Sequence, residues 1–147
     1  MIRLSRKCEY ALRALFELAM RGDGHPVKIH RIATAQSLPP RFLEVILNEL
    51  RHAGLVQSRR GNAGGYTLAR PAKQLSVGEV IEQIQGPIEL SGQHHRGSKY
   101  YYGDYAFARL WKQISRAVSG MCNSTSFAEL VECEKKEMAK RVLNYTI

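Results

Sequence analysis

The chain has 147 residues, 44% of them hydrophobic, and carries a formal net charge of +9. That length suits one domain, or a small domain with accessory helices, and no stretch approaches the roughly 18 apolar residues of a membrane-spanning helix. The opening Met1-Ile2-Arg3-Leu4-Ser5-Arg6-Lys7 leads into an amphipathic segment and not into an apolar signal core, so a cytoplasmic protein with no membrane partner is expected.

Residues 5–20 read as the first helix. Leu12, Leu15, Phe16 and Ala19 recur on one stripe, and Arg21-Gly22-Asp23-Gly24 ends it. Cys8 shares that face with Leu12 and Leu15, which predicts a buried thiol. A short second helix follows over 28–35, with Ile29, Ile32 and Ala33 inward. Ser37-Leu38-Pro39-Pro40 is the turn, since proline opens a helix but cannot lie inside one. The third helix, 40–53, turns Phe42, Leu43, Ile46, Leu47, Leu50 and Ala53 inward. Arg41, Glu44, Val45, Asn48 and Arg51 are left for its other side, and Gly54 stops it.

A hairpin is predicted from about Leu55 to Ala69. Its tip, Arg60-Gly61-Asn62-Ala63-Gly64-Gly65-Tyr66, has the glycines that a tight reversal needs. Tyr66 and Leu68 alternate with Thr67 and Ala69, a half-buried strand pattern. Ser76-Val77-Gly78-Glu79 is a capping box that opens a helix to about Ile84, and Gly86-Pro87 breaks the chain. Residues 88–103, with His94, His95 and Tyr100-Tyr101-Tyr102, read as a loop. Asp104 starts a long helix to about Cys122, in which Phe107, Trp111, Ile114, Val118 and Met121 form a heptad seam suited to pairing with another helix. A second capping box, Ser126 with Glu129, opens a last helix to about Leu143. Phe127, Leu130, Val131 and Met138 are expected to face inward there.

Helix, turn, helix and basic hairpin in that order make a winged helix-turn-helix, a DNA-binding design. The charge agrees: residues 1–75 hold 13 Lys/Arg against 5 Asp/Glu, whereas 76–147 hold 9 against 8. The excess lies on the half with the helix-turn-helix pattern, where a polyanion would bind. On the third helix, Arg41 and Asn48 can donate to base edges, Glu44 can accept from cytosine, and Val45 can contact a thymine methyl. Arg59 and Arg60 at the hairpin tip can enter a minor groove or clamp phosphates.

Ser5-Arg6-Lys7-Cys8-Glu9-Tyr10-Ala11-Leu12-Arg13-Ala14-Leu15 resembles the opening of the Rrf2 family of bacterial winged-helix regulators. Phe42-Leu43-Glu44, Leu50-Arg51 and Ala53-Gly54-Leu55-Val56 are similar to its recognition helix and exit. Arg60-Gly61 through Gly64-Gly65-Tyr66 resembles its wing, Val77-Gly78-Glu79-Val80-Ile81 its next helix, and Leu110-Trp111 the start of its dimer helix. The resemblance implies a homodimer with crossing long helices, reading a palindrome. It places Arg41, Glu44 and Val45 at base contacts and Arg60 in the minor groove.

Cluster-binding members of the family carry three cysteines in the loop before the long helix. By that resemblance the cysteine positions fall near Gln93, Lys99 and Tyr105, none of them a thiol. The actual cysteines, Cys8, Cys122 and Cys133, form no CxxC pair and no zinc spacing. An iron–sulfur cluster is therefore not expected, nor is any other cofactor. Glu9, which matches a carboxylate ligand of some relatives, His94 and His95 remain as metal candidates, and Cys122 as a redox candidate. No nucleophile–base pair, phosphate loop or paired carboxylates point to an enzyme.

The fold expected is mainly α: a winged helix-turn-helix with a two-stranded wing and a long dimerisation helix. The DNA-binding domain is placed at 1–86, a sensor-type loop at 87–103, and the dimerisation and C-terminal helices at 104–147. The function expected is a homodimeric repressor that binds double-stranded DNA and answers to a small-molecule or protein effector. The alternative is a sensor or scaffold module acting mainly through a protein partner at the 88–103 loop.

Overall fold

The computed structural model of the chain describes residues 3–90 and 99–146. Helices α1 (Arg6–Arg21), α2 (Ile29–Gln36) and α3 (Pro40–His52) come first, followed by strands β1 (Val56–Arg59) and β2 (Gly65–Leu68). After a 3-10 turn at Ala72–Gln74 come α4 (Val77–Gln85), α5 (Asp104–Ser124) and α6 (Phe127–Tyr145). The result is mainly α with a two-stranded antiparallel wing, as the sequence predicts.

Local chemistry sets most boundaries. The Ser5 hydroxyl accepts from the Cys8 N–H at 3.1 Å to open α1, and Gly22 closes it in the left-handed region. Pro40 supplies the first residue of α3, where no N–H is needed. The α2–α3 turn passes through Ser37, whose φ of 52° is unusual for a non-glycine residue. That bend lets the Leu38 N–H reach the Ala33 carbonyl at 2.8 Å and buries the Leu38 side chain.

Leu15, Ile32, Leu43, Ile46, Leu47 and Leu50 are fully buried where α1, α2 and α3 meet. Leu55, Val56, Leu75 and Val80 extend that core, and Phe127 completes it from the far end of the chain. Each such side chain contributes roughly 1.5–3 kcal/mol of burial. No core boundary coincides with residue 103, because Phe127 and Val131 of α6 join the cluster built by α1–α4.

The corner between α5 and α6 is stitched to the start of α4. The Val77 N–H donates to the Thr125 carbonyl at 2.9 Å, and the Phe127 N–H to the Leu75 carbonyl at 3.0 Å. A Cβ on Gly78 would lie 2.8 Å from the Asn123 backbone nitrogen, so α4 and α5 touch where only glycine fits.

Several expectations need correction. Phe42 is not a core residue; it is 51% exposed and meets Tyr10 edge-on at a ring separation of 6.0 Å. One turn into α3, its position lies at the edge of the buried stripe. Met138 is exposed as well, because α6 leaves the core after Val131. The Ser76 box is half made: Ser76 accepts from the Glu79 N–H at 3.2 Å, but the Glu79 carboxylate pairs with Arg70. The box at Ser126 is complete. The Ser126 N–H and hydroxyl both donate to Glu129 Oε2, at 2.7 and 2.9 Å, and hold that carboxyl below its ordinary value.

The heptad stripe on α5 is unevenly covered in the single chain. Trp111, Ile114 and Val118 are half-buried, and the Phe107 and Trp111 rings stack at 6.1 Å. Residues 88–90 reach the flank of the stripe: the Leu90 N–H donates to Ser115 Oγ at 2.7 Å, and Ser119 Oγ donates to the Ile88 carbonyl at 3.5 Å. Phe107 and Met121 stay open, 57% and 72% exposed, together with Leu110.

Candidate nucleic-acid interface

α3 displays Arg41, Glu44, Val45 and Asn48 along one exposed face, at helical steps of three and four. Its opposite face is held down by Leu43, Ile46, Leu47 and Leu50. An ion pair of 2.5 Å between Lys7 and Glu49 ties it to α1. Val45, at 64% exposure, is an apolar residue left uncovered on the surface that the sequence assigns to base edges. Asn48 is partly committed already: its Oδ1 accepts from Arg51 Nη2 at 2.8 Å. Its side-chain amide donors, and Arg51 itself, remain at the surface.

The wing begins directly after α3. The Leu55 N–H donates to the Leu50 carbonyl at 2.9 Å, so β1 grows out of the last turn of α3. β1 pairs with β2 in the register Val56–Leu68, Gln57–Thr67, Ser58–Tyr66 and Arg59–Gly65. Arg59 thus ends the ladder, and Arg60 is the first residue of the tip. Both side chains are exposed, and neither they nor Arg41 form an ion pair among the described residues. Gly64 is fixed by the fold of this tip, since a Cβ there would lie 2.2 Å from the Arg59 carbonyl oxygen.

Sequence reasoning missed part of the surface. Val27, between α1 and α2, bridges Tyr66 as a one-residue third strand. A single residue has no periodicity to betray it. The bridge brings the start of α2 beside the wing tip and leaves a cleft of about 430 Å³. Lys28 at the N-cap of α2 and His30 and Arg31 within it line one side, and Asn62, Ala63 and Gly64 of the wing the other. α2 opens without a side-chain cap, so its first N–H groups add to this basic surface. The excess of positive charge in residues 1–75 was the available signal for these cations.

The candidates for metal and redox chemistry do not converge. Cys8 is fully buried in α1, where burial pushes its thiol up to about 11. Cys122 is half-buried near the end of α5, and Cys133 is exposed on α6. The Glu9 carboxylate receives Arg13 Nε at 3.4 Å. His94, His95 and Gln93 lie outside the described residues. Among the described residues no three His, Cys, Asp or Glu side chains are grouped so as to hold a metal ion. Lys99 and Tyr105 are the wrong donor types for a cluster iron, so the residues at the expected positions do not fit one.

The family model described as "Rrf2: Iron-dependent Transcriptional regulator" matches residues 4–133. An HTH-type transcriptional regulator of Mycobacterium tuberculosis is 37% identical over 130 residues, 88% of this chain and 81% of that one. IscR of Escherichia coli is 32% identical over 131 residues, covering 88% and 80%. Among solved structures, CymR, the global cysteine regulator of B. subtilis, superposes with a TM-score of 0.79 at 31% identity, covering 90% of this chain and 98% of that one. T. potens IscR gives 0.73 at 28% identity, covering 92% and 90%.

Proposed function

Because the chain belongs to the Rrf2 family of transcriptional regulators, we propose that it works as a homodimeric repressor that grips the two halves of a palindromic operator. The observation that carries this reading is that Arg41 on α3 and Arg59 and Arg60 on the wing are all exposed and form no ion pair among the described residues. Arginines without carboxylate partners are free to meet phosphate and base edges. Arg41, Glu44, Val45 and Asn48 enter the major groove, and the wing arginines take the flanking minor groove or its phosphates. Lys28, His30 and Arg31 hold the intervening backbone.

A second copy supplies the cover for Phe107, Leu110 and Met121 on α5. It also sets two recognition helices about 34–36 Å apart, one helical turn of DNA. Regulation proceeds without a conventional iron–sulfur cluster. No helix among the described residues is long and apolar enough to cross a membrane.

The test is a titration of the full-length protein against its own promoter region and against scrambled DNA, each at two salt concentrations. The proposal expects a sequence-specific complex whose affinity falls steeply with salt. Equal affinity for both duplexes would remove it. A second reading, action through a protein partner, is favoured by the exposed Tyr100 and Tyr102 just before α5 and Tyr105 in its first turn. Under that reading, replacing these tyrosines abolishes regulation while promoter binding in vitro is unchanged.

A further inference from the structure

We propose that Asn48, held by Arg51, is a specificity-determining residue that selects guanine against adenine at one position of each operator half-site. The proposal deepens the DNA-binding reading and rests on it. Asn48 and Arg51 are both exposed on α3. Asn48 Oδ1 accepts from Arg51 Nη2 at 2.8 Å. Chemistry fixes which end of the amide is used, since a guanidinium only donates and must meet the oxygen. The Nδ2 hydrogens are the end left for DNA.

An asparagine reads adenine by accepting from N6 with its oxygen while donating to N7. Here a base amino group arriving at Oδ1 shares that oxygen with Arg51 and faces its N–H groups, donor against donor. Guanine presents O6 and N7 at the same place, two acceptors side by side, and the Nδ2 hydrogens find a partner in either. Thymine presents O4 alone.

Arg51 is free to hold this arrangement. It forms no ion pair among the described residues, and Glu49, the carboxylate next to Asn48 in the chain, is engaged by Lys7. Arg51 thus acts on base choice through Asn48, as a positioning residue.

The experiment is selection of binding sites from random duplex DNA by the full-length protein and by its Asn48→Ala, Arg51→Met and Arg51→Lys variants, followed by fluorescence anisotropy on the selected duplexes. The proposal expects the unmodified protein to enrich a two-fold symmetric site with a guanine in each half that Asn48→Ala no longer prefers. Exchanging that guanine for adenine weakens the unmodified protein about tenfold, the worth of one good base contact. Arg51→Met frees Oδ1, so adenine there binds as well as guanine or better. Arg51→Lys, whose ammonium can still donate to Oδ1, keeps guanine. The charge lost in Arg51→Met weakens both duplexes alike, which leaves their ratio as the readout. An unaltered selected site for Asn48→Ala, adenine at the Asn48-dependent position for the unmodified protein, or an unchanged guanine-to-adenine ratio for Arg51→Met would overturn this inference and leave DNA binding standing. Failure of the unmodified protein to enrich any sequence would overturn both.

Discussion

Val27 and Tyr66 are joined by two backbone hydrogen bonds, the Val27 N–H to the Tyr66 carbonyl at 2.9 Å and the Tyr66 N–H to the Val27 carbonyl at 2.8 Å. The wing is therefore fastened at its base to the connection between α1 and α2, and does not hang from α3 alone. This is why Gly65, next to Tyr66, has no room: a Cβ there would stand 2.5 Å from the Val27 carbonyl.

Gly65→Ala should accordingly cost about 2 kcal/mol or more, by forced displacement of Val27 and by strain at a φ of +145°. Gly61→Ala is the comparison. It has a φ of +99° but nothing within 4 Å, so only backbone strain applies, about 1 kcal/mol. Thermal unfolding of the two variants, with hydrogen exchange at the Val27 amide, measures the difference. Equal losses would mean that the bridge does not constrain the wing.

Replacing Arg59 and Arg60 together by alanine should weaken promoter binding at least tenfold and flatten its salt dependence, since the proposed interface loses two positive charges. The pair Lys28→Ala with Arg31→Ala should weaken all duplexes alike, as backbone contacts do. Val45→Ser should instead change which operator bases are preferred. Fluorescence anisotropy on a panel of operator variants distinguishes these outcomes. A uniform effect of Val45→Ser would take it out of the major groove.

The uneven cover of the α5 stripe predicts two different results for added charge. Phe107→Asp or Leu110→Asp should give folded monomers with unchanged helical content, because those side chains are open in the single chain. Val118→Asp should also lower thermal stability, because that residue is half-buried beside the Ile88–Leu90 strap. Sedimentation velocity with circular dichroism reads both. A dimer that survives Leu110→Asp would move the contact elsewhere.

The three thiols should react in the order Cys133, Cys122, Cys8, following their exposure. Burial holds Cys8 protonated, with its ionisation raised from 9.0 to about 11. The unfolded chain ionises at the lower value, so this contribution to stability is complete below about pH 9 and is lost as pH rises toward 11. Denaturant midpoints measured between pH 8 and 11 should fall, and Cys8→Ala should remove that part of the decline. A slope that is identical in the variant would assign it to other groups.

Much of the architecture was legible because it is written in short-range signals. Ser5, Ser76 and Ser126 mark helix starts through bonds three residues long, and Gly22 and Gly54 mark stops. The stripe of Leu43, Ile46, Leu47 and Leu50 buries one side of α3, and that alone leaves Arg41, Glu44, Val45 and Asn48 outward. Glu79 shows where such reasoning stops. Its spacing to Ser76 fits a capping box, but Arg70, nine residues earlier, competes for the carboxylate and takes it.

By itself, then, the amino-acid order determined the helices, the wing and the cationic face, since each depends on neighbours within a turn or a hairpin. Only the tertiary structure decided that Val27 anchors the wing, that Phe42 and Met138 lie outside the core, and that Trp111 and Val118 are half-covered in the single chain while Phe107 and Met121 are open. Those outcomes depend on which distant surface reaches a residue first. Periodicity records that a side chain seeks burial, but not which of two competing surfaces will cover it.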